Sequence, residues 1–176
     1  VFQVGGSIEV AVKASDNIGI SSVALRVNTV GYVWVVGGKG SYKVSKPGTY
    51  VFVATGTDTS NNKSTASLTV VVPDEEDPVG TLTGYPSATS VLEGTSVQYT
   101  ATFRDNVGVV KKGITVNGVE QAMDAYNRIT YKFEDMGRYV VTAWAEDAAG
   151  NRTETIIEMT VAYRDLTAPE VNVTHN

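Results

Sequence analysis

The strongest indication of how this chain folds is the segment Lys46-Pro47-Gly48-Thr49-Tyr50-Val51-Phe52-Val53-Ala54. In it a glycine is followed two residues later by a tyrosine, and a long strand is expected to run from Thr49 to Thr57. Alternation with a period of two is typical of a β-strand that buries one face. Ile8, Val10, Val12 and Ala14 alternate in this way with mostly polar residues, which predicts a strand with one buried face there.

The same arrangement returns at Gly137 and Tyr139, an offset of 89 residues (137 − 48). Other landmarks share this offset, because the sequence Asp-Asn-Ile-Gly at 16–19 returns as Asp-Asn-Val-Gly at 105–108, and Asp58 returns as Asp147. A constant offset indicates a duplicated module of roughly 90 residues. The duplication is therefore the basis of the domain assignment.

The predicted domain boundaries follow from the repeat. The first domain is expected at residues 1–73, with a truncated opening strand, and the second at residues 80–164. An acidic linker at 74–79 joins them, and residues 165–176 are expected to form a linker and the first strand of an absent third repeat. Each domain is long enough to enclose one modest core. We expect the chain to be an excerpt from a longer array.

Both domains are predicted to be all-β sandwiches of about seven strands each, because one-sided apolar runs end at turn residues and no segment has a helical apolar stripe. An odd number of alternating strands carries the chain from one end of a domain to the other. Tandem copies should therefore lie end to end as a rod. The strands expected in the first copy lie near 8–14, 23–28, 32–36, 41–44, 49–57 and 64–72, and the second copy adds opening strands at 80–83 and 91–92.

Composition excludes several classes of function. The chain of 176 residues contains no cysteine, so neither disulfides nor thiolate metal sites can hold the fold. A formal charge of −5, without a basic cluster, argues against nucleic acid as a partner. No apolar run approaches the ~20 residues that a membrane span requires, so membrane insertion is not expected.

The linker Asp74-Glu75-Glu76-Asp77-Pro78 is rich in carboxylates. Because the strands alternate in direction, the linker should enter the second domain at the same end as the two loops that contain Asp105 and Asp147. Gathered carboxylates repel one another unless they are solvated, spread apart or neutralised, and Ca²⁺ suits such sites because it takes about six to eight oxygen ligands in flexible geometry. One interpretation is therefore a calcium joint, stiff with metal and looser without it. Its candidate ligands are Asp74, Glu76, Asp77, Asp105 and Asp147.

The other interpretation of these acids needs no metal. The sequence Asp-Asn-x-Gly forms good turns, because the Asp side chain accepts hydrogen bonds from the backbone N–H groups that follow it. A linker rich in Asp and Glu can also be simply solvated. The sequence leaves both interpretations open.

Three motifs together resemble the tandem bacterial immunoglobulin-like repeats of large surface and secreted proteins. They are Asp-Asn-Ile/Val-Gly at 16–19 and 105–108, Lys-Pro-Gly-Thr-Tyr at 46–50, and Glu-Asp-Ala-Ala-Gly-Asn at 146–151. Gly48 and Tyr50 also resemble the tyrosine corner of immunoglobulin-like sandwiches, and this resemblance implies that Tyr50, Phe52 and Ala54 point inward. The resemblance implies an extracellular spacer, stalk or adhesion module whose partners are neighbouring repeats of the same polypeptide, with calcium bound between some repeats.

An enzymatic function is not expected. The single histidine, His175, lies in the C-terminal tail, so no Ser-His-Asp arrangement can form within one domain. Paired acids can hydrolyse glycosides, but these acids lie on turns and a linker with no evident cleft.

One alternative to a pure spacer is a carbohydrate-binding accessory module of a secreted polysaccharide-acting enzyme, with a cell-surface or polysaccharide ligand. Tyr32 and Trp34 are two residues apart and would share a strand face, and Trp144 is expected to point outward. Exposed aromatic side chains of this kind stack on sugars. If Tyr32 and Trp34 instead point inward, Val33 and Val35 would be the outward residues.

The alternating tail around Val171 and Val173 suggests a further alternative. This segment could pair with an exposed strand edge or fill the opening-strand position in the first domain of another molecule, as in donor-strand assembly. It could equally be disordered or packed only incidentally.

Overall fold

The computed structural model describes residues 2–28 and 31–173. The described residues form strands and no helix, in two separate units, residues 1–76 and 77–176. The division between the units falls inside the acidic linker expected at 74–79. His175 lies outside the described residues.

The first unit has two sheets. The strand order is β1-β5-β4 in one sheet and β3-β2-β6-β7 in the other. The strands are β1 (Ser7–Ala11), β2 (Ile20–Val27), β3 (Gly31–Val33), β4 (Val35–Val36), β5 (Lys39–Lys43), β6 (Gly48–Asp58) and β7 (Lys63–Val72).

The second unit repeats this arrangement and extends it. The strand order is β8-β10-β13 in one sheet and β12-β11-β14-β15-β9 in the other. Its strands are β8 (Val79–Tyr85), β9 (Ser90–Leu92), β10 (Ser96–Arg104), β11 (Val109–Val116), β12 (Val119–Gln121), β13 (Arg128–Lys132), β14 (Gly137–Asp147) and β15 (Arg152–Ala162).

Each core lies between the two sheets of its unit, because the alternating apolar side chains of both sheets point toward each other. In the first unit Ile8 and Val10 from one sheet pack with Leu25 and Phe52 from the other. In the second unit the core includes five residues that are 0% exposed, namely Val97, Tyr99, Ile114, Val141 and Ala143. Ile8 and Val10, with their counterparts Val97 and Tyr99, therefore point inward as the alternation predicts, whereas Ala14 is exposed.

The 89-residue offset holds in the pairing of the main strands. Ile8 lies opposite Tyr42 as Val97 lies opposite Tyr131. The offset fails in one hairpin, since Val27 lies opposite Gly31 in the first unit, whereas Val116 lies opposite Val119 in the second. The second hairpin has a two-residue Asn117-Gly118 loop with positive φ at both residues, which is one residue shorter than its counterpart.

Two strands of the first unit differ from the sequence expectation. The strand expected at 8–14 ends at Ala11, because β1 pairs only with β5, whereas its counterpart β10 lies between β13 and β8. The strand expected at 32–36 divides into β3, which pairs with β2, and β4, which pairs with β5 of the other sheet. The chain thus changes sheets at Trp34.

The opening segment of the second unit joins both sheets. β8 pairs antiparallel with β10, and after the turn β9 pairs in parallel with β15 of the other sheet. Phe2 and Gln3 of the first unit, which the offset relates to Val91 and Leu92, are not in a strand. Val171 and Val173, expected to begin another strand, are 81% and 91% exposed and have no strand partner in the described part of the chain.

Candidate functional sites

Asp105 lies where β10 ends, in the loop before β11. Its Oδ1 accepts hydrogen bonds from the backbone N–H groups of Val107 at 2.9 Å and Gly108 at 2.7 Å. Gly108 has a φ of 129°, a value that favours glycine and allows this tight turn. The second oxygen, Oδ2, is buried and has no hydrogen-bond partner among the described residues. The loop therefore fixes the carboxylate and leaves one oxygen unsatisfied, which is unusual for a buried polar atom.

Asp147 ends β14 and is only 2% exposed. Its Oδ1 accepts hydrogen bonds from the backbone N–H groups of Ala149 and Asn151 at 2.8 and 2.9 Å, and its Oδ2 accepts one from the Asn151 side-chain amide at 2.7 Å. Burial, the largest single influence, raises the pKa of Asp147, but the hydrogen bonds from Asn151 and the neighbouring backbone together outweigh it. The pKa of Asp147 is therefore held below its usual value, and the buried group is a carboxylate at neutral pH.

The two loops meet within the second unit because Val109, the first residue of β11, lies opposite Asp147 in the pairing with β14. One carboxylate oxygen of Asp105 and one of Asp147 consequently lie within 4.8 Å of each other. Two carboxylates at this separation repel each other in a partly buried place. Chemically, the pair offers oxygen ligands to a hard cation.

The linker acids are divided between the two units. Asp77 belongs to the second unit and is exposed. It stands two residues before Val79, which lies opposite Arg104 at the end of β10, so the incoming chain passes beside the Asp105 loop. Asp74 and Glu76 belong to the first unit, where the Glu76 N–H donates to Asp74 Oδ1 at 3.4 Å. A role for these three acids as metal ligands stays a prediction.

The first unit contains the same two turns. Asp16 Oδ2 accepts hydrogen bonds from Ile18 and Gly19 N–H, and Asp58 accepts hydrogen bonds from Ser60 and Asn62. The turn chemistry expected from Asp-Asn-x-Gly is thus present in both copies. The copies differ in burial, because Asp58 is only partly buried whereas Asp147 is fully buried. They also differ at Asp105, whose unpartnered oxygen is buried, whereas its counterpart Asp16 is exposed.

The candidate aromatic residues have different surroundings. Val33 is 7% exposed and points inward, so Tyr32 and Trp34 point outward, with exposed fractions of 68% and 89%. The guanidinium carbon of Arg26 lies 4.4 Å from the centre of the Tyr32 ring, and the same guanidinium donates a hydrogen bond to the Tyr32 hydroxyl. Trp34 stands at the change of sheets, between β3 and β4. Trp34 is an open aromatic surface.

Trp144 is half-buried among charged side chains. The guanidinium carbon of Arg152 lies 4.2 Å from the centre of its ring, and its Nε1 donates to Glu120 Oε2 at 3.4 Å. The sequence indicated the outward direction of Trp144. The sequence did not identify Arg152 and Glu120 as neighbours of Trp144, because cross-strand neighbours are known only once the register of the strands is known.

No protein-family model matches this chain, and no curated protein matches it. Among solved structures, the amphioxus IgVJ-C2 molecule is 12% identical over 90% of this chain and 98% of its own length, with a TM-score of 0.54. The chain consists of two immunoglobulin-like domains. The two units described above are therefore called the first and second immunoglobulin-like domains.

Two further solved structures are similar at lower TM-scores. The fibronectin(III)-like modules of CbhA from Clostridium thermocellum are 15% identical, covering 98% of this chain and 94% of theirs, with a TM-score of 0.43. The D00-D0 domain of intimin is 14% identical, covering 90% of this chain and 94% of its own, with a TM-score of 0.33. The described residues contain no helix that could span a membrane.

Proposed function

We propose that the chain is a non-catalytic spacer or adhesion-stalk module of a larger extracellular protein, and that calcium rigidifies the joint before its second immunoglobulin-like domain. The observation that carries the proposal is the pair Asp105 and Asp147, whose carboxylate oxygens lie within 4.8 Å of each other where the chain enters that domain. The module acts by holding other parts of a protein apart.

Chain direction within the second domain supports the spacer role. The domain is entered at β8, whose first residue, Val79, lies opposite Arg104. It is left after β15, whose residue Val161 lies opposite Gly137, at the far end of β14 from Asp147. A domain that is entered at one end and left at the other is suited to serial arrays.

The chemistry of the pair supports calcium over a purely solvated cluster. Burial of a carboxylate oxygen without a hydrogen-bond partner costs free energy, and Asp105 Oδ2 is such an atom. A cation bound there would satisfy it and would screen the repulsion from Asp147. The linker supplies further oxygens, since Asp74 is three residues from Asp77 and cannot lie more than about 11 Å from it. Asp74, Glu76 and Asp77 are proposed to complete the ligand set.

Calorimetric titration of the whole chain with CaCl₂ tests the metal. We expect binding, with the Asp105→Asn variant at least about tenfold weaker, because it removes one charge and replaces the unpartnered oxygen. Asp16→Asn is the matched control in the first domain and should bind as the parent chain does. The absence of heat at millimolar CaCl₂, or an unchanged affinity of Asp105→Asn, would show that the joint holds no calcium.

Small-angle X-ray scattering tests the spacer separately. An elongated particle is expected, with a larger maximum dimension and less flexibility in CaCl₂ than in EDTA. An elongated particle whose dimensions do not change in EDTA would support the spacer role and contradict the calcium joint. A compact particle in both conditions would contradict the spacer itself.

Glycan binding is the second candidate function, and the exposure of Trp34 favours it, because an indole that is 89% exposed offers a face for a sugar ring. Affinity electrophoresis in gels containing soluble polysaccharides, together with a glycan array, would detect it. Trp34→Ala should abolish retardation. Trp144→Ala should have little effect, because Arg152 already stacks on that ring. If no polysaccharide retards the parent chain and no glycan on the array binds it, this second function is excluded.

A further inference from the structure

The outer face of the three-stranded sheet of the first domain, β1-β5-β4, carries two lysines on its central strand. Lys39 lies opposite Ala11 and Lys43 opposite Ser7, and all four residues are exposed. Residues four apart on one strand share a face, and their Cα atoms are about 13 Å apart. Within residues 2–28 and 31–173, no ion pair is described for either lysine. Both cations are therefore open to a ligand.

The second domain has cations at the same two positions, but each of them is already paired. Arg128 and Lys132 take the places of the two lysines in the pairing of β13 with β10. Arg128 forms an ion pair with Asp124 at 2.8 Å, and Lys132 forms one with Glu134 at 2.8 Å. The second domain thus neutralises with its own acids the charges that the first domain leaves exposed.

The first domain lacks both of the pairing acids. Val35 and Ser45 stand at the two equivalent positions, and Val35 packs against the core. One acid does lie on this face, because Glu9 is opposite Ser41, the residue midway between the two lysines. A single carboxylate among two lysines leaves the face with a net positive charge.

The formal charge of the first domain has the same sign as this face. Residues 1–73 contain six Lys or Arg and three Asp or Glu, which gives +3 (6 − 3), whereas residues 80–164 contain eight and ten, which gives −2 (8 − 10). Two of the three acids, Asp16 and Asp58, accept hydrogen bonds from their own loops. A negatively charged ligand is therefore attracted to the first domain although the whole chain has a charge of −5.

An exposed indole adjoins the lysines. Trp34 directly precedes β4, in which Val35 lies opposite Gly40 and Val36 lies opposite Lys39. A Cβ placed on Gly40 would lie 3.6 Å from the Trp34 carbonyl oxygen, so the chain at Trp34 runs beside β5. Trp34 and Val36 are 89% and 79% exposed. The face therefore combines an apolar surface on which a sugar ring can stack with cations that attract a carboxylate.

We propose that this face binds an acidic polysaccharide whose sugar rings carry carboxylates, with a ring stacked on Trp34 and carboxylates at Lys39 and Lys43. The proposal rests on glycan binding, the second candidate function, and names its ligand class. An ammonium and a carboxylate form charge-assisted hydrogen bonds, which are stronger than neutral ones. A polymer suits the site better than a single sugar, because it presents several carboxylates along its length to two separated lysines. Nucleic acid fits less well, since it requires a more extended basic surface.

Affinity electrophoresis of the whole chain in EDTA tests the ligand class, because EDTA removes metal ions that could bridge two carboxylates. Polygalacturonate in the gel should retard the chain more strongly than neutral hydroxyethyl cellulose, with each mobility taken relative to a gel without polymer. Lys39→Gln/Lys43→Gln should bind polygalacturonate at least about threefold more weakly and the neutral polymer unchanged. Arg128→Gln/Lys132→Gln is the matched control in the second domain and should bind as the parent chain does.

Ser45→Glu tests the open charge while both lysines are kept. It places an acid beside Lys43 as Glu134 lies beside Lys132, so binding of polygalacturonate should weaken, and Ser45→Gln should leave it unchanged. Equal retardation by both polymers, or no effect of the lysine variants, would overturn the acidic ligand and leave glycan binding at Trp34 standing. Equal affinity for single-stranded DNA would also overturn it. Retardation by no polysaccharide at all would overturn both.

Discussion

The hydroxyl of Tyr50 donates a hydrogen bond to the backbone carbonyl oxygen of Lys46 across 2.6 Å. Tyr139 makes the same bond to Asp135 in the second domain, at 3.1 Å. In both domains the bond spans the turn that leads into an 11-residue strand, β6 or β14, and it anchors that turn to the core through a ring that packs among other aromatic side chains.

Tyr50→Phe should lower the free energy of unfolding of the first domain by about 0.5–1.5 kcal/mol, because it removes this hydrogen bond and keeps the ring. Urea denaturation followed by circular dichroism measures the change. Tyr42→Phe is the control, since the Tyr42 ring lies 5.5 Å from that of Tyr50 and no hydrogen bond is described for its hydroxyl. Equal effects of the two substitutions would contradict the role given to the bond.

Tyr99→Phe should leave the second domain as stable as before or raise its free energy of unfolding by up to about 1 kcal/mol. The Tyr99 hydroxyl is buried and has no hydrogen-bond partner among the described residues, so its removal takes away an unsatisfied polar atom. Tyr139→Phe in the same domain loses a bond and should be destabilising. Thermal melts of both variants make the comparison, and a large loss of stability in Tyr99→Phe would show that its hydroxyl is bonded in solution.

Alkaline pH should destabilise the second domain through the same residue. Burial raises the pKa of Tyr99 to about 12 from an ordinary value of 10.0. The folded state therefore holds this proton more tightly than the unfolded state, and the resulting stability is present in full below pH 10 and is lost between about pH 10 and 12. The absorbance of tyrosinate should show one late-titrating group, absent from Tyr99→Phe. A titration in which every tyrosine ionises near pH 10 would contradict this expectation.

Gly113→Ala should destabilise the second domain by about 1–3 kcal/mol through overpacking. A Cβ at Gly113 would clash with Glu120 Oε1 and lie 2.6 Å from Trp144 Nε1, so both side chains must move. The first domain has Ala24 and Thr55 at the equivalent positions, which indicates that alanine is tolerated when the tryptophan is absent. Trp144→Thr should therefore remove most of the penalty in a double-mutant cycle, whereas additive losses would contradict the coupling.

Much of this fold could be predicted from the sequence, because alternation and the repeat act over short distances. The inward positions around Tyr50 and Tyr139 and the all-β class are confirmed. The hairpin that follows Val116 was not foreseen, since a loop shortened by one residue is compensated further along the chain and leaves the offset at the landmarks unchanged. Glu120, and not Gln121, is therefore the counterpart of Tyr32.

Less of the candidate sites could be predicted. Strand order indicated that the loops of Asp105 and Asp147 lie at one end of the domain, and the structure places their carboxylates within 4.8 Å of each other. The early end of β1 at Ala11 was missed, because the alternation of its side chains continues although no second strand pairs with it. The stacking of Arg26 on Tyr32 was also missed, since it depends on the register between β2 and β3.

The parallel pairing of β9 with β15 has a mechanical consequence. When the two ends of the second domain are pulled apart, these strands slide lengthwise past each other, so the hydrogen bonds between Ser90–Leu92 and Thr160–Ala162 bear the load together and do not open one at a time. β7, the counterpart of β15, has no parallel partner among the described residues. Under tension, the second domain should therefore yield at a higher force than the first.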